Sequence, residues 1–228
     1  MSKLCSKGKY QSPINIITDT SVRCGATCDL TFYYRTSKAN IINTGKNIVL
    51  DYDNGSYVMY NNDVYELDKI SFSLPGNHTL DKSSYPLEIN LNHRSPDTGR
   101  LLIIGVLCEI NDALSRYSMF LDLLISSLPR GNGEQSQVNT PEDWNIYNLI
   151  PEVKSFFTYN GSLPRSPCTE DVQWIIFENT INITSKFYDT LKSVIGSNSR
   201  QIKPLNGRVI YYNSNSADKN GRNYGDRL

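Results

Sequence analysis

Leu87–His93 reads LEINLNH, and Lys69–Leu74 reads KISFSL. In the first, Leu87, Ile89 and Leu91 alternate with Glu88, Asn90 and Asn92. In the second, Ile70, Phe72 and Leu74 alternate with Lys69, Ser71 and Ser73. Successive side chains of a strand point to opposite faces, so each stretch is an amphipathic strand. One face is apolar and belongs on a core; the other is small and polar and faces something else. The surrounding chain speaks the same language. Fifteen Tyr, seven Phe and many Ile, Val and Thr lie in short stretches punctuated by Asn-Gly and Pro-Gly. Two helices are expected. Tyr117–Leu128 carries Met119, Leu121, Leu123 and Leu124; Ser185–Val194 carries Phe187, Leu191 and Val194, with Ser185 or Thr184 as its cap. The fold class is therefore mixed α+β and sheet-dominated.

The 228 residues are 39% hydrophobic and 20% charged, which excludes disorder and fibre. Lys+Arg and Asp+Glu balance at 23 each, against a general binder of nucleic acid or of membrane surfaces. The longest apolar run, Leu101–Cys108, is far shorter than the roughly 20 residues that cross a bilayer. MSKLCSKGKYQS at the start has no apolar h-region and does not read as a secretory signal. Leu128–Asp143 is polar but is followed at once by Trp144, Tyr147 and Leu149, so it reads as a surface loop. The expectation is one domain over residues 1–214, with 215–228 a polar tail or the start of a stalk.

The chemistry inventory is thin. There are two histidines, His78 and His93, without a metal-binding partner at local spacing. Of five cysteines, Cys108 lies in the apolar run and packs as a small hydrophobe. Cys5, Cys24, Cys28 and Cys168 remain for two bridges, in any of three connectivities. Cys24 and Cys28 have no second Cys/His pair to complete a zinc site, which leaves a hairpin disulfide or two quiet thiols. No nucleophile elbow, P-loop or dinucleotide glycine motif is present.

A series of short motifs adds to this. Gln11–Ile16 reads QSPINI, followed by Asn43–Gly45 (NTG), Gly76-x-His78-x-x-Asp81 and Tyr85–His93 (YPLEINLNH). Then come Leu149–Pro151 (LIP), Phe157–Leu163 (FTYNGSL), Val172–Phe177 (VQWIIF) and Pro204–Tyr211 (PLNGRVIY). In order and spacing they resemble the α-carbonic anhydrase family from end to end. The resemblance implies a twisted, mostly antiparallel sheet of about ten strands, a few short surface helices, and a conical cavity over one face. At the three positions where that family carries its zinc-binding histidines, this chain has Ser71, Ser73 and Asn90. The gatekeeping Thr is Pro164, its Glu partner is Asn77, and the proton-shuttle His is Lys46. Neutral hydroxyl and amide groups do not replace imidazoles for Zn²⁺, so the resemblance leads to the expectation of no metal, no cofactor and no enzyme activity. His78, Glu88 and Tyr159 match a buried hydrogen-bonded network beneath the zinc, read here as structural, as is His93; Trp174 is expected in the core.

The resemblance also pairs Cys5 with Cys168, as in extracellular members. Asn54, Asn77, Asn160 and Asn182 each begin an N-x-[ST] pattern; the resemblance puts Asn77 and Asn160 in the cavity region, where they would be blocked. Among relatives without zinc ligands, the chain is similar to the poxvirus cell-surface-binding envelope protein in its start near SPINI and its NTGK and EINL stretches. It departs from that protein in carrying the Cys5/Cys168 pair. The expected function is attachment of a large DNA virus, at the virion envelope surface or extracellularly, to a sulfated glycosaminoglycan such as chondroitin or heparan sulfate. Lys46, Lys69 and Arg165 would face the cavity, and Arg94, Arg100 and Lys82 would extend a basic track. The alternative is a protein–protein adhesion module, like that of receptor tyrosine phosphatases, with a cell-surface protein as partner.

Overall fold

The computed structural model describes residues 3–25 and 27–214; the expected tail over 215–228 lies outside them. A thirteen-stranded sheet dominates. From one edge its path runs Gln135–Gln137, Ala39–Asn43, Ile48–Tyr52, Asp63–Ser73 and Leu87–Arg94. It continues through Leu101–Ile110, Glu170–Phe177, Phe156–Ser162, Tyr211–Asn213 and Val22–Arg23. Ile181–Ile183, Leu30–Tyr33 and Tyr57–Tyr60 pair off this path, and Asn15–Ile16 forms a separate two-stranded sheet with Thr79–Leu80. The sheet is mixed. Leu101–Ile110 runs parallel to both Glu170–Phe177 and Ile181–Ile183, because the long connection after Ile110 lets the chain cross over before it returns.

The alternation read in KISFSL and LEINLNH holds. Ile70, Phe72, Leu87, Ile89 and Leu91 enter the main core with Leu102, Ile104, Val106 and Cys108. Trp174, Tyr159, Phe157, Val172 and Ile176 build a second core on the other face. Among the described residues three short α-helices accompany the sheet. Ser185–Ile195 buries Phe187, Leu191 and Ile195, spaced one turn apart, and its N-cap Thr184 accepts from the Phe187 N–H at 3.0 Å. Arg116–Ile125 begins on a Ser115/Ser118 capping box. It stops three residues before the expected Leu128, consistent with Pro129 disfavouring helical backbone in the residue before it. The stretch expected as a plain surface loop contributes Gln135–Gln137 to the sheet edge.

Cys5 is joined to Cys168 and Cys24 to Cys28, which decides the second pair in favour of a disulfide; Cys108 is free and buried. Among the described residues no helix is long and apolar enough to cross a membrane. With the disulfides, that is compatible with an extracellular protein. Asn77 is buried and Asn54 exposed. Asn160, expected to be blocked, is exposed instead: within Phe156–Ser162 it points to the face opposite Tyr159.

His93 packs in the main core, its Nε2 2.8 Å from the Tyr34 hydroxyl and its ring stacked on Tyr34. Burial pulls its pKa down to about 4, against about 6.5 in the unfolded chain. The unfolded state therefore binds the proton first. The associated stability is complete above pH 6.5 and is lost as pH falls toward 4, about 3 kcal/mol in all. Urea unfolding at pH 7.5 and pH 4.5 measures the drop. His93→Gln is expected to flatten it, and an equal drop in the variant would remove His93 as its source.

Candidate functional site

The two amphipathic strands are antiparallel neighbours, with Ser71 opposite Asn90 and Ser73 opposite Glu88. The period of two brings Ser71, Ser73, Glu88, Asn90 and Asn92 to one face. Ser71, Ser73, Asn90 and Asn77 are all buried. Ser73 Oγ accepts from Asn77 Nδ2 at 2.8 Å and from Asn90 Nδ2 at 3.3 Å. Ser71 Oγ accepts from Asn92 Nδ2 at 3.2 Å. Asn77 Oδ1 is taken by the Arg200 N–H at 3.0 Å. The cradle is thus closed by amides donating to hydroxyls, while Asn90 Oδ1 has no partner among the described residues.

Arg165 turns inward over this cradle. Its guanidinium donates at 3.4 Å to the carbonyls of Phe72, between the two serines, and of Asn198. Burial draws its pKa below the usual guanidinium range, while the charge of Glu88 acts in the opposite direction. Among the described residues no carboxylate lies within ion-pair distance of Arg165. Asn198 ties the region together, donating to the carbonyls of Lys46 at 3.0 Å and Phe72 at 3.2 Å and accepting from the Leu74 N–H at 2.9 Å. Pro164 is half-buried and brings no hydroxyl. Sequence reasoning placed Asn92 on the polar face without giving it a role, and missed Asn198 and Arg200. The alternation with Asn90 already marked Asn92; the other two have no local signal, because they arrive from the far end of the chain.

Beneath the cradle, His78 and Glu88 are fully buried. Glu88 Oε2 accepts from the His78 N–H at 2.7 Å, and Glu88 Oε1 is 3.0 Å from His78 Nδ1. A carboxylate there accepts a hydrogen bond from Nδ1–H, which leaves Nε2 to accept from the Tyr159 hydroxyl at 2.7 Å. Tyr159 in turn accepts from Ser12, 2.8 Å away. The donors run in one direction from Ser12 to Glu88. Such a satisfied network keeps four buried polar groups from being stranded.

The carbonic anhydrase resemblance implies a zinc ion at Ser71, Ser73 and Asn90, and these residues do not fit one. Zinc takes imidazole, thiolate or carboxylate ligands, whereas this set is two hydroxyls already accepting hydrogen bonds and an amide. Among the described residues no group of three His, Cys, Asp or Glu could hold a metal. The expected cations are not all brought together. Lys69 is 48% exposed on its side chain and pairs with Asp68 at 3.3 Å, next to the register shift between Leu67 and Lys69. Lys46 is exposed in its turn, and Arg94, Arg100 and Lys82 are exposed. Arg94 donates to the Gly99 carbonyl at 3.2 Å.

The model of the eukaryotic-type carbonic anhydrase family matches residues 1–214. A carbonic anhydrase of Nostoc is 29% identical over 91% of this chain and 77% of its own. Alpha carbonic anhydrase 3 of Arabidopsis thaliana is 29% identical over 94% of this chain and 78% of its own. The structure of an α-carbonic anhydrase of Thermovibrio ammonificans, in complex with the inhibitor sulfanilamide, aligns with a TM-score of 0.84. It is 26% identical and covers 91% of this chain and 89% of its own. These matches correct the expectation that the chain is not an enzyme: the relatives are named carbonic anhydrases, which are enzymes, so membership gives no ground for excluding activity. From its first motif to Tyr211, and in the packing of its sheet, this chain belongs to the eukaryotic-type carbonic anhydrase family.

Proposed function

We propose that this domain is a cell-surface attachment module of a large DNA virus. In this reading the zinc-ligand positions have passed to Ser71, Ser73 and Asn90, and the site takes an anionic group of a sulfated glycosaminoglycan. The observation that carries the reading is Arg165, a half-buried guanidinium directed at the cradle with no carboxylate partner among the described residues. A cation held in a partly desolvated site gains from an anion, and a guanidinium presents a fork that matches sulfate. Lys46, Lys69, Arg94 and Arg100 are exposed, and in this reading they meet the rest of a linear polyanion such as chondroitin or heparan sulfate.

Immobilised heparin and chondroitin sulfate, at low and at physiological salt, test this. Lys69→Ala with Arg165→Ala is expected to weaken retention about tenfold at low salt and to make the salt dependence shallower, since each lost contact is an electrostatic one. Unchanged affinity and slope in a folded variant would move the function toward protein–protein adhesion.

A further inference from the structure

A cavity of about 520 Å³ opens on the face of the sheet opposite the Ser71–Asn90 cradle. Along Phe156–Ser162 the Thr158 and Asn160 side chains point to this face and that of Tyr159 to the network beneath the cradle, with Tyr159 also bordering the cavity. The floor is made by Thr158 and by the directly opposed cross-strand pair Asn160 and Gln173. Tyr60 and Tyr211 stand at its sides.

The lining mixes polar groups with aromatic and apolar ones. Gln173 Nε2 donates to Thr158 Oγ1 at 2.6 Å, which aligns that amide; its Oε1 has no hydrogen bond among the described residues. The side-chain amide of Asn160 has none at either end; only its backbone carbonyl is engaged, by Arg208 at 3.1 Å. Among the described residues Arg208 is the one charged residue of the lining, and its N–H groups donate to four backbone carbonyls. Nε donates to the Leu205 carbonyl, and the terminal nitrogens donate to the carbonyls of Asn160, Gln11 and Pro204, at 2.8–3.1 Å. Among the described residues no carboxylate lines the cavity. Tyr211, 45% exposed, borders the cavity directly across from Thr158 in the neighbouring strand.

We propose that this cavity binds an uncharged, hydroxyl-rich ligand with the chemistry of a terminal pyranose. An amide presents a donor and an acceptor side by side, as two neighbouring sugar hydroxyls do. The aromatic face of Tyr211 takes the apolar side of a ring. The volume lies within the roughly 300–1,000 Å³ range of small-molecule sites. The Arg208 N–H groups are spent largely on backbone carbonyls, so its guanidinium does not present an open bidentate fork to an anion. The site shares no residue with the proposed glycosaminoglycan surface and does not depend on it.

A glycan array bearing neutral and sulfated glycans tests the proposal at physiological salt and at about 0.5 M salt, where exposed charges are screened. The protein is made in a host that does not N-glycosylate, because Asn160 heads an N-x-S pattern. Retention of neutral glycans that survives high salt is expected, falling at least about tenfold in Asn160→Asp and in Tyr211→Ala. Both side chains are exposed, so the substitutions leave the cores intact. The proposal is overturned if the wild type retains no neutral glycan, or if either variant retains it as the wild type does. Sulfated glycans on the same array, lost at high salt, report on the other face separately.

Discussion

Purified from zinc-containing medium, the protein is expected to carry well under one zinc per chain. The variant Ser71→His/Ser73→His/Asn90→His should carry about one. The backbone needed for such a site is in place. Ser71 stands directly opposite Asn90, and Ser73 follows on the same face two residues along. What is missing is ligand chemistry, since hydroxyls and an amide offer zinc no strong donor and are occupied with one another. The three histidines alone are expected to hold zinc less tightly than when Arg165 is replaced as well. Ligand imidazoles need acceptors for their second nitrogens, and Asn77 has already committed Oδ1 to the Arg200 N–H. Arg165 would also lie against a divalent cation, with its guanidinium on the Phe72 carbonyl between two of the new ligands. Adding Arg165→Thr should therefore tighten zinc by about tenfold or more, as repulsion in a partly desolvated site is relieved. Elemental analysis and competition against a chelator read both effects. Stoichiometric zinc in the wild type, lost in Asn90→Ala, would sink this account of the site.

Removing the Cys5–Cys168 bridge should cost about 5 kcal/mol in the chain-entropy model, at the upper end of what native disulfides contribute. The two cysteines are 163 positions apart, so the bridge closes a loop holding most of the sheet. Its ends are also embedded. Cys168 is buried, and its carbonyl accepts from Gln11 Nε2 at 3.1 Å. The Cys5 carbonyl accepts from Arg200 at 2.6 Å, and the same guanidinium holds the Ser12 carbonyl at 2.8 Å. Opening the bridge thus loosens the N-terminal segment that brings Ser12 to Tyr159. Urea unfolding of Cys5→Ala/Cys168→Ala against the parent gives the difference. A loss below about 1 kcal/mol would mean that the Arg200 and Gln11 contacts hold the segment without the covalent link.

The sequence by itself determined the faces of the strands. In KISFSL and LEINLNH the period of two is a property of the extended backbone, so Ser71, Ser73 and Asn90 were legible as one polar surface before any partner strand was known. The string of motifs from QSPINI to PLNGRVIY carried the family, and with it the sheet and the Cys5–Cys168 pair. The tertiary structure decided where the charges went. Arg165 turns in because the carbonyls of Phe72 and Asn198 are there to receive it, and Lys69 turns out to Asp68 beside a register shift. The closure of Cys24 on Cys28 was also decided there, as was the cavity assembled from Tyr60, Thr158, Gln173 and Tyr211. Periodicity reports what a chain does to its own neighbours. Where a long flexible side chain comes to rest depends on acceptors supplied by segments a hundred residues away, and no local pattern encodes them.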